Sequence, residues 1–230
     1  MNVQRPSKLR LEHLNTLDLL TKNQEFAYTS FREGYNLVLD GAAGTGKTYL
    51  GCYLGISDVL DKESPREKVV IVRSALPTRD MGYLPGSKEE KEAAYTEPYI
   101  SMFADLFEDK EAWSKLNQTG NIEFLTTSFI RGLTINDAVV IIDEAQNCTF
   151  HELCSIITRL GTTCRIIICG DYYQSDLKTK GDQKGILDFI NILNHMKYFD
   201  HIEFTWEDIV RSGMVRDFIM TKELIDKGEL

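Results

Sequence analysis

Residues 41–48 read Gly41-Ala42-Ala43-Gly44-Thr45-Gly46-Lys47-Thr48, and no other stretch constrains the fold as strongly. The apolar segment before it, residues 35–40, reads as a buried strand. The proline-free segment after it, residues 49–60, reads as an amphipathic helix. A glycine-rich turn between strand and helix aims backbone N–H groups and the positive helix end at a phosphate. In such a loop Lys47 would reach the β- and γ-phosphates, and Thr48 would place its hydroxyl on a magnesium ion. The pattern therefore predicts an α/β chain that binds a nucleotide.

Further strand-like runs recur at 69–73, 122–126, 139–143, 165–170 and 201–205, with the first at 37–40. Helical stretches are expected at 48–60, 97–107, 150–160 and 185–197, and residues 1–34 look helical with a break near 21–23. Short apolar strands alternating with longer helices indicate a mostly parallel sheet covered on both faces. Its ligands collect at the carboxyl ends of the strands. Thr149, three residues before Glu152, fits a capping box and starts the helix at 150.

A length of 230 residues suits one well-buried domain over 1–230: an N-terminal helical segment at 1–34 and a core at 35–216. Apolar runs such as 138–142 are too short for a bilayer, and the polar first residues lack a signal-peptide core, so a cytosolic setting is expected. The five cysteines include no C-x-x-C pair and the four histidines are scattered, which speaks against a disulfide framework or a protein-built metal cage. A formal charge of −9 argues against a generally basic nucleic-acid coat while leaving room for a local basic track.

Two further motifs carry chemistry. The apolar strand at 139–142 ends in Asp143-Glu144, the pair that a nucleotide hydrolase needs beside its phosphate loop. Asp143 can hold the magnesium through water, and Glu144 can orient and polarise the attacking water. A pure switch needs the first carboxylate but not the second, so Glu144 favours turnover. The strand at 165–170 runs into Asp171 and Gln174. Gln174 could report on the γ-phosphate, and Asp171 could fix its loop against the second motif.

Taken with Gly82-Tyr83-Leu84-Pro85-Gly86, Phe129-Ile130-Arg131-Gly132, Thr158-Arg159-Leu160-Gly161 and Asp208-Ile209-Val210-Arg211, these motifs resemble the PhoH-like P-loop ATPases. The core of that family is similar to the first motor domain of superfamily 1 helicases. The resemblance runs from about residue 22 to about 216. It implies a RecA-like fold, ATP and magnesium as cofactors, and a setting in a bacterial cell or a phage-infected bacterial host. It also implies that Gln24 reads adenine and that Arg211 touches the γ-phosphate of a neighbouring site. Because a second motor domain is missing, it implies a homo-oligomeric ring, plausibly a hexamer. Two positions depart from the family pattern: Ala42 replaces a usual proline and Leu133 a usual second arginine, the latter removing a positive group near the expected polynucleotide face.

The segment after the second strand offers Arg73 and Arg79 for phosphates and Tyr83 for base stacking. The same arginines could instead pair with Asp80, Glu89, Glu90 and Glu92. Arg131 could extend a basic track or fold back on the second motif. The leading expectation is a magnesium-dependent ATPase coupled to single-stranded RNA or DNA, with possible helicase activity. The alternatives are an ATP-dependent switch without helicase activity and a small-molecule kinase.

Overall fold

The computed structural model describes residues 8–74, 88–130, 132–172 and 180–230. In chain order the elements are α1 (Lys22–Arg32), β1 (Asn36–Gly41), α2 (Lys47–Leu60), β2 (Lys68–Arg73), α3 (Lys88–Phe107), α4 (Ala112–Gln118) and β3 (Ile122–Thr126). They continue with α5 (Thr127–Ile130), β4 (Ala138–Asp143), α6 (Phe150–Ile157), β5 (Arg165–Gly170), α7 (Lys180–Asn194), β6 (Phe199–Phe204) and α8 (Gly213–Lys227). The six strands form one parallel sheet in the order β3-β2-β4-β5-β1-β6. β5 lies between β1 and β4, so the strand with the phosphate loop and the strand with the acid pair are separated by one strand. That is the order of the RecA-like P-loop fold.

The inner strands β2, β4, β5 and β1 are buried and apolar through their middles because both faces are covered, whereas the edge strands β3 and β6 carry Glu123, Asp200, His201 and Glu203. Their pleat divides the core in two. Leu37, Leu39, Val69, Ile71, Val139, Ile141, Ile167 and Cys169 face α1 to α4. Val38, Val70, Val72, Val140, Ile142, Ile166 and Ile168 face α6 and α7. α2 lies close to the first face because Gly51 and Gly55 turn no side chain toward it. A methyl group on Gly55 would come within 3.3 Å of Ile141.

Gly41 is constrained more severely. It closes β1 at φ +125, and a methyl group there would lie 1.9 Å from the Phe204 carbonyl oxygen on β6. Gly41→Ala is expected to cost about 2–3 kcal/mol, read as a fall in the urea midpoint, through backbone strain plus displacement of β6.

Two expectations are corrected. Residues 8–21 are not an α-helix: a single 3₁₀ turn at Leu11–His13 leads into extended chain. The backbone N–H of Asn15 and its side-chain amide bond the carbonyls of Leu106 and Asp105 at the end of α3. Leu9, Leu14, Leu17 and Leu19 pack on the core, so leucines spaced like a helix belong to an extended strap. The expected break at 21–23 is the start of α1, where the Thr21 hydroxyl accepts from the Gln24 N–H. Second, α3 begins at Lys88 and runs through Pro98, where the expected helix began at 97. α8 extends to Lys227 and fully buries none of its residues, its half-buried positions recurring at Val215, Ile219, Met220, Glu223 and Leu224. The Thr149 cap is as expected: its hydroxyl accepts from the Glu152 N–H while the Glu152 carboxylate accepts from the Thr149 N–H.

Candidate nucleotide site

All six strands end on one edge, which gathers the three motifs around a pocket of about 1190 Å³. The loop from Gly41 leads into α2, whose N-cap Gly46 takes a left-handed conformation. The Lys47 ammonium folds back over the loop, donating to the carbonyls of Gly41 at 2.7 Å and Ala42 at 2.8 Å. Thr45 is fully buried and donates its hydroxyl to the Ala42 carbonyl at 3.0 Å. Burial pulls the Lys47 amine below its ordinary value, against the opposing carboxylates of Asp171, Asp40 and Glu144. A buried cation held by two loop carbonyls and, at 3.3 Å, the Thr45 hydroxyl is suited to exchange them for phosphate oxygens.

The acid pair sits opposite. Asp143 closes β4, is buried, and accepts from the Thr48 hydroxyl at 2.7 Å through Oδ1 and from the Tyr99 hydroxyl at 2.6 Å through Oδ2. Thr48 and Asp143 thus place two hard oxygen donors side by side. This partial set fits a magnesium ion, which keeps several waters and takes its other ligands from phosphate. Glu144 follows in a left-handed conformation, φ 51, which turns its side chain out of the strand into the pocket wall. Burial, then the neighbouring Asp143 charge, raises its carboxyl above the ordinary glutamate value; Arg73, Gln146 and Lys47 oppose the shift.

Gln146 joins the second motif to the third. Its Nε2 donates to Glu144 Oε2 at 2.7 Å, and its Oε1 accepts from the Asp171 N–H at 3.1 Å. Asp40, buried at the end of β1, accepts from the Tyr172 N–H at 3.3 Å and faces His201 Nε2 at 3.7 Å. The loop after β5 is therefore tied to both neighbouring strands. Sequence reading expected such a tie through Asp171 and gave no part to Gln146 or Asp40.

Three more of the expected residues lie beside the phosphate loop or the acid pair. Gln24, expected to read adenine, bonds the loop: its Nε2 donates to the Thr45 carbonyl at 3.0 Å and its Oε1 accepts from the Leu20 N–H at 2.8 Å. Both ends of its carboxamide brace this chain's own backbone. Arg211, expected at a neighbouring site, lies against its own loop. The Val210 N–H donates to the Gly44 carbonyl at 3.1 Å, and Arg211 Cγ is 3.0 Å from where a Gly44 methyl would stand. Arg73, expected on a polynucleotide face, is paired in register with Asp143. Burial disfavours its charge, but Tyr99, Asp143 and Glu144 outweigh that and raise its pKa. Arg79, Tyr83, Arg131 and Gln174 lie outside the described residues.

α8 adds an unforeseen wall. Its Lys222, Glu223, Asp226 and Lys227 line the pocket, with Lys222 on Asp226 and Lys227 on Glu223 at 2.6 Å each. The Trp206 indole N–H, just after β6, donates to Glu223 at 2.6 Å.

The model of the PhoH-like protein family matches residues 16–223. The chain belongs to the PhoH-like family. PhoH-like proteins of Mycobacterium leprae and Bacillus subtilis are 33% and 34% identical to it over 180 residues, 78% of this chain. Protein PhoH2 of B. subtilis is 40% identical over 150 residues, covering 63% of this chain and 34% of that protein. The chain spans about half the length of the PhoH-like relatives, 50% in M. leprae and 55% in B. subtilis. Among solved structures, Bacteroides Pif1 bound to ssDNA covers 82% of this chain and 42% of its own, at 18% identity and TM-score 0.41. No helix among the described residues is long and apolar enough to cross a membrane.

Proposed function

We propose that this PhoH-like chain binds ATP with magnesium, hydrolyses it, and couples the cycle to single-stranded RNA or DNA. The observation that carries the reading is the contact of Thr48 with Asp143 at 2.7 Å, with Glu144 next in sequence and Lys47 in the same pocket. A phosphate loop alone would bind; the second carboxylate adds the means to activate water.

Each side chain then has a task. Lys47 exchanges loop carbonyls for the β- and γ-phosphates. Thr48 and, through water, Asp143 would hold the magnesium, which when bound neutralises charge on the phosphates. Glu144 orients the attacking water and takes up its proton. Arg211 stabilises charge on the transferring group from within its own chain. Gln24 braces the loop beside the base. Gln174 is kept as the γ-phosphate sensor, and Arg79, Tyr83 and Arg131 as polynucleotide contacts. Because Arg211 already reaches its own loop, that role does not require a ring. Mass in solution with and without ATP tests the homo-hexamer that the family resemblance implies.

Phosphate release measured with and without single-stranded RNA or DNA tests the coupling. Stimulation of about tenfold or more, lost as salt screens phosphate contacts, is the expected result. A slow rate indifferent to either polymer would instead support an ATP-dependent switch, a reading favoured by the formal charge of −9.

A further inference from the structure

We propose that Tyr99 is a positioning residue for Asp143: it sets the orientation in which that carboxylate receives a magnesium-bound nucleotide. The inference rests on the reading of this pocket as a metal–nucleotide site. Asp143 has two carboxylate oxygens, and hydroxyls of different origin hold them. Thr48, on the helix after the phosphate loop, donates to Oδ1 at 2.7 Å, and Tyr99, on α3, donates to Oδ2 at 2.6 Å. The first contact belongs to the loop motif. The second comes from a helix to which no motif assigned a function.

The tyrosine is built to hold this bond. Its side chain is 0% exposed. The ring stacks on Trp113 at 6.4 Å and 25° and lies tilted against Phe124 at 5.8 Å and 40°, so it cannot swing away without opening the core. A phenylalanine would fill the same aromatic nest beside Phe103, Phe124 and Trp113. What tyrosine adds is one hydroxyl, and a buried hydroxyl must find a partner. Here the partner is a carboxylate, which makes the bond charge-assisted and directional. Arg73 stands in register with Asp143 at the end of β2 and supplies a positive charge near the same pair. The phenol proton has one good acceptor, the Asp143 carboxylate. With one oxygen held at each side, Asp143 cannot rotate about its terminal bond.

Groups of this outer kind orient metal-binding carboxylates, and losing one typically weakens metal binding about 10- to 100-fold. Tyr99→Phe tests the assignment because it deletes only the hydroxyl. Three measurements are needed: thermal melting, nucleotide binding in EDTA, and Mn²⁺ affinity of the ADP complex by electron paramagnetic resonance. The expected result is unchanged metal-free nucleotide binding with Mn²⁺ affinity about 10-fold weaker, and a parallel rise in the Mg²⁺ needed to half-saturate turnover. Unchanged Mn²⁺ affinity overturns the proposal, whether or not the melting temperature falls; a fall alone would assign the hydroxyl to core stability. The two readings fail separately. A wild-type chain that binds Mn²⁺–ADP without hydrolysing ATP defeats the hydrolase and leaves the Mn²⁺ comparison decisive. A wild-type chain that binds no metal–nucleotide defeats both.

Discussion

Lys47→Ala is expected to reduce ATP hydrolysis by about 10²- to 10³-fold or more, the usual cost of removing a preorganised charge from the transferring group. The side chain enters α2 at its first residue and reaches back across the loop to Gly41 and Ala42. Its partners are therefore carbonyls that a polyphosphate would displace, and the ammonium waits in the space the phosphates take. Burial already disfavours its charge, so an arriving anion relieves a strain that water does not. The pKa of this amine should accordingly rise when nucleotide binds. Alanine removes stem and ammonium together, whereas Lys47→Met keeps the apolar stem and removes the ammonium with its loop and phosphate contacts. Single-turnover phosphate release from both variants checks the assignment, and retention of rate within tenfold in Lys47→Met would remove the charge from the mechanism.

The parts of this site that could be read from the sequence are those made by contiguous residues. Gly41 to Thr48 works through its own backbone, and Asp143-Glu144 follows an apolar strand, so spacing along the chain carries the information. What could not be read depends on which strands become neighbours. Arg73 looks like the first residue of an exposed basic loop until β2 pairs with β4 and sets it opposite Asp143. Tyr99 looks like one aromatic among several on a helix face; only the packing of α3 against the sheet brings its hydroxyl to the carboxylate. Nothing along the chain shows that the strap before α1 and the loop after β1 supply the two backbone partners that the Gln24 amide bonds. α8 escaped notice for a different reason. Its half-buried positions Val215, Ile219, Met220 and Leu224 recur at helical spacing, but nothing in that spacing says where the helix docks, and its relation to the pocket rests on charged side chains and on Ile219 near Gly44.

Glu144→Gln should separate binding from turnover and, at the same time, stabilise the fold. The substitution preserves shape, and Gln146 Nε2, which donates to Glu144 Oε2 at 2.7 Å, can donate as well to an amide oxygen. ATP affinity should stay within a few-fold of wild type, while the loss of a general base lowers turnover about 10²- to 10⁴-fold. The stability change follows from the raised carboxyl pKa, caused first by burial and then by the Asp143 charge. Between the ordinary glutamate value and the raised one, the folded chain binds this proton more tightly than the unfolded chain. Stability therefore falls as pH rises through that window, and above it the wild type carries an ionised group that the fold disfavours. Glutamine carries no such charge, so the variant should melt at a higher temperature at neutral pH. The difference should close as the pH drops toward the ordinary glutamate value, where the wild type is protonated too. The same shift moves the acid limb of the wild-type kcat/KM profile above the pH expected of a solvated glutamate. A variant that hydrolyses ATP at the wild-type rate, or that melts lower at neutral pH and higher in acid, would contradict this account of Glu144. An inactive variant that gains stability identifies a carboxylate held at an energetic cost that catalysis, not folding, explains.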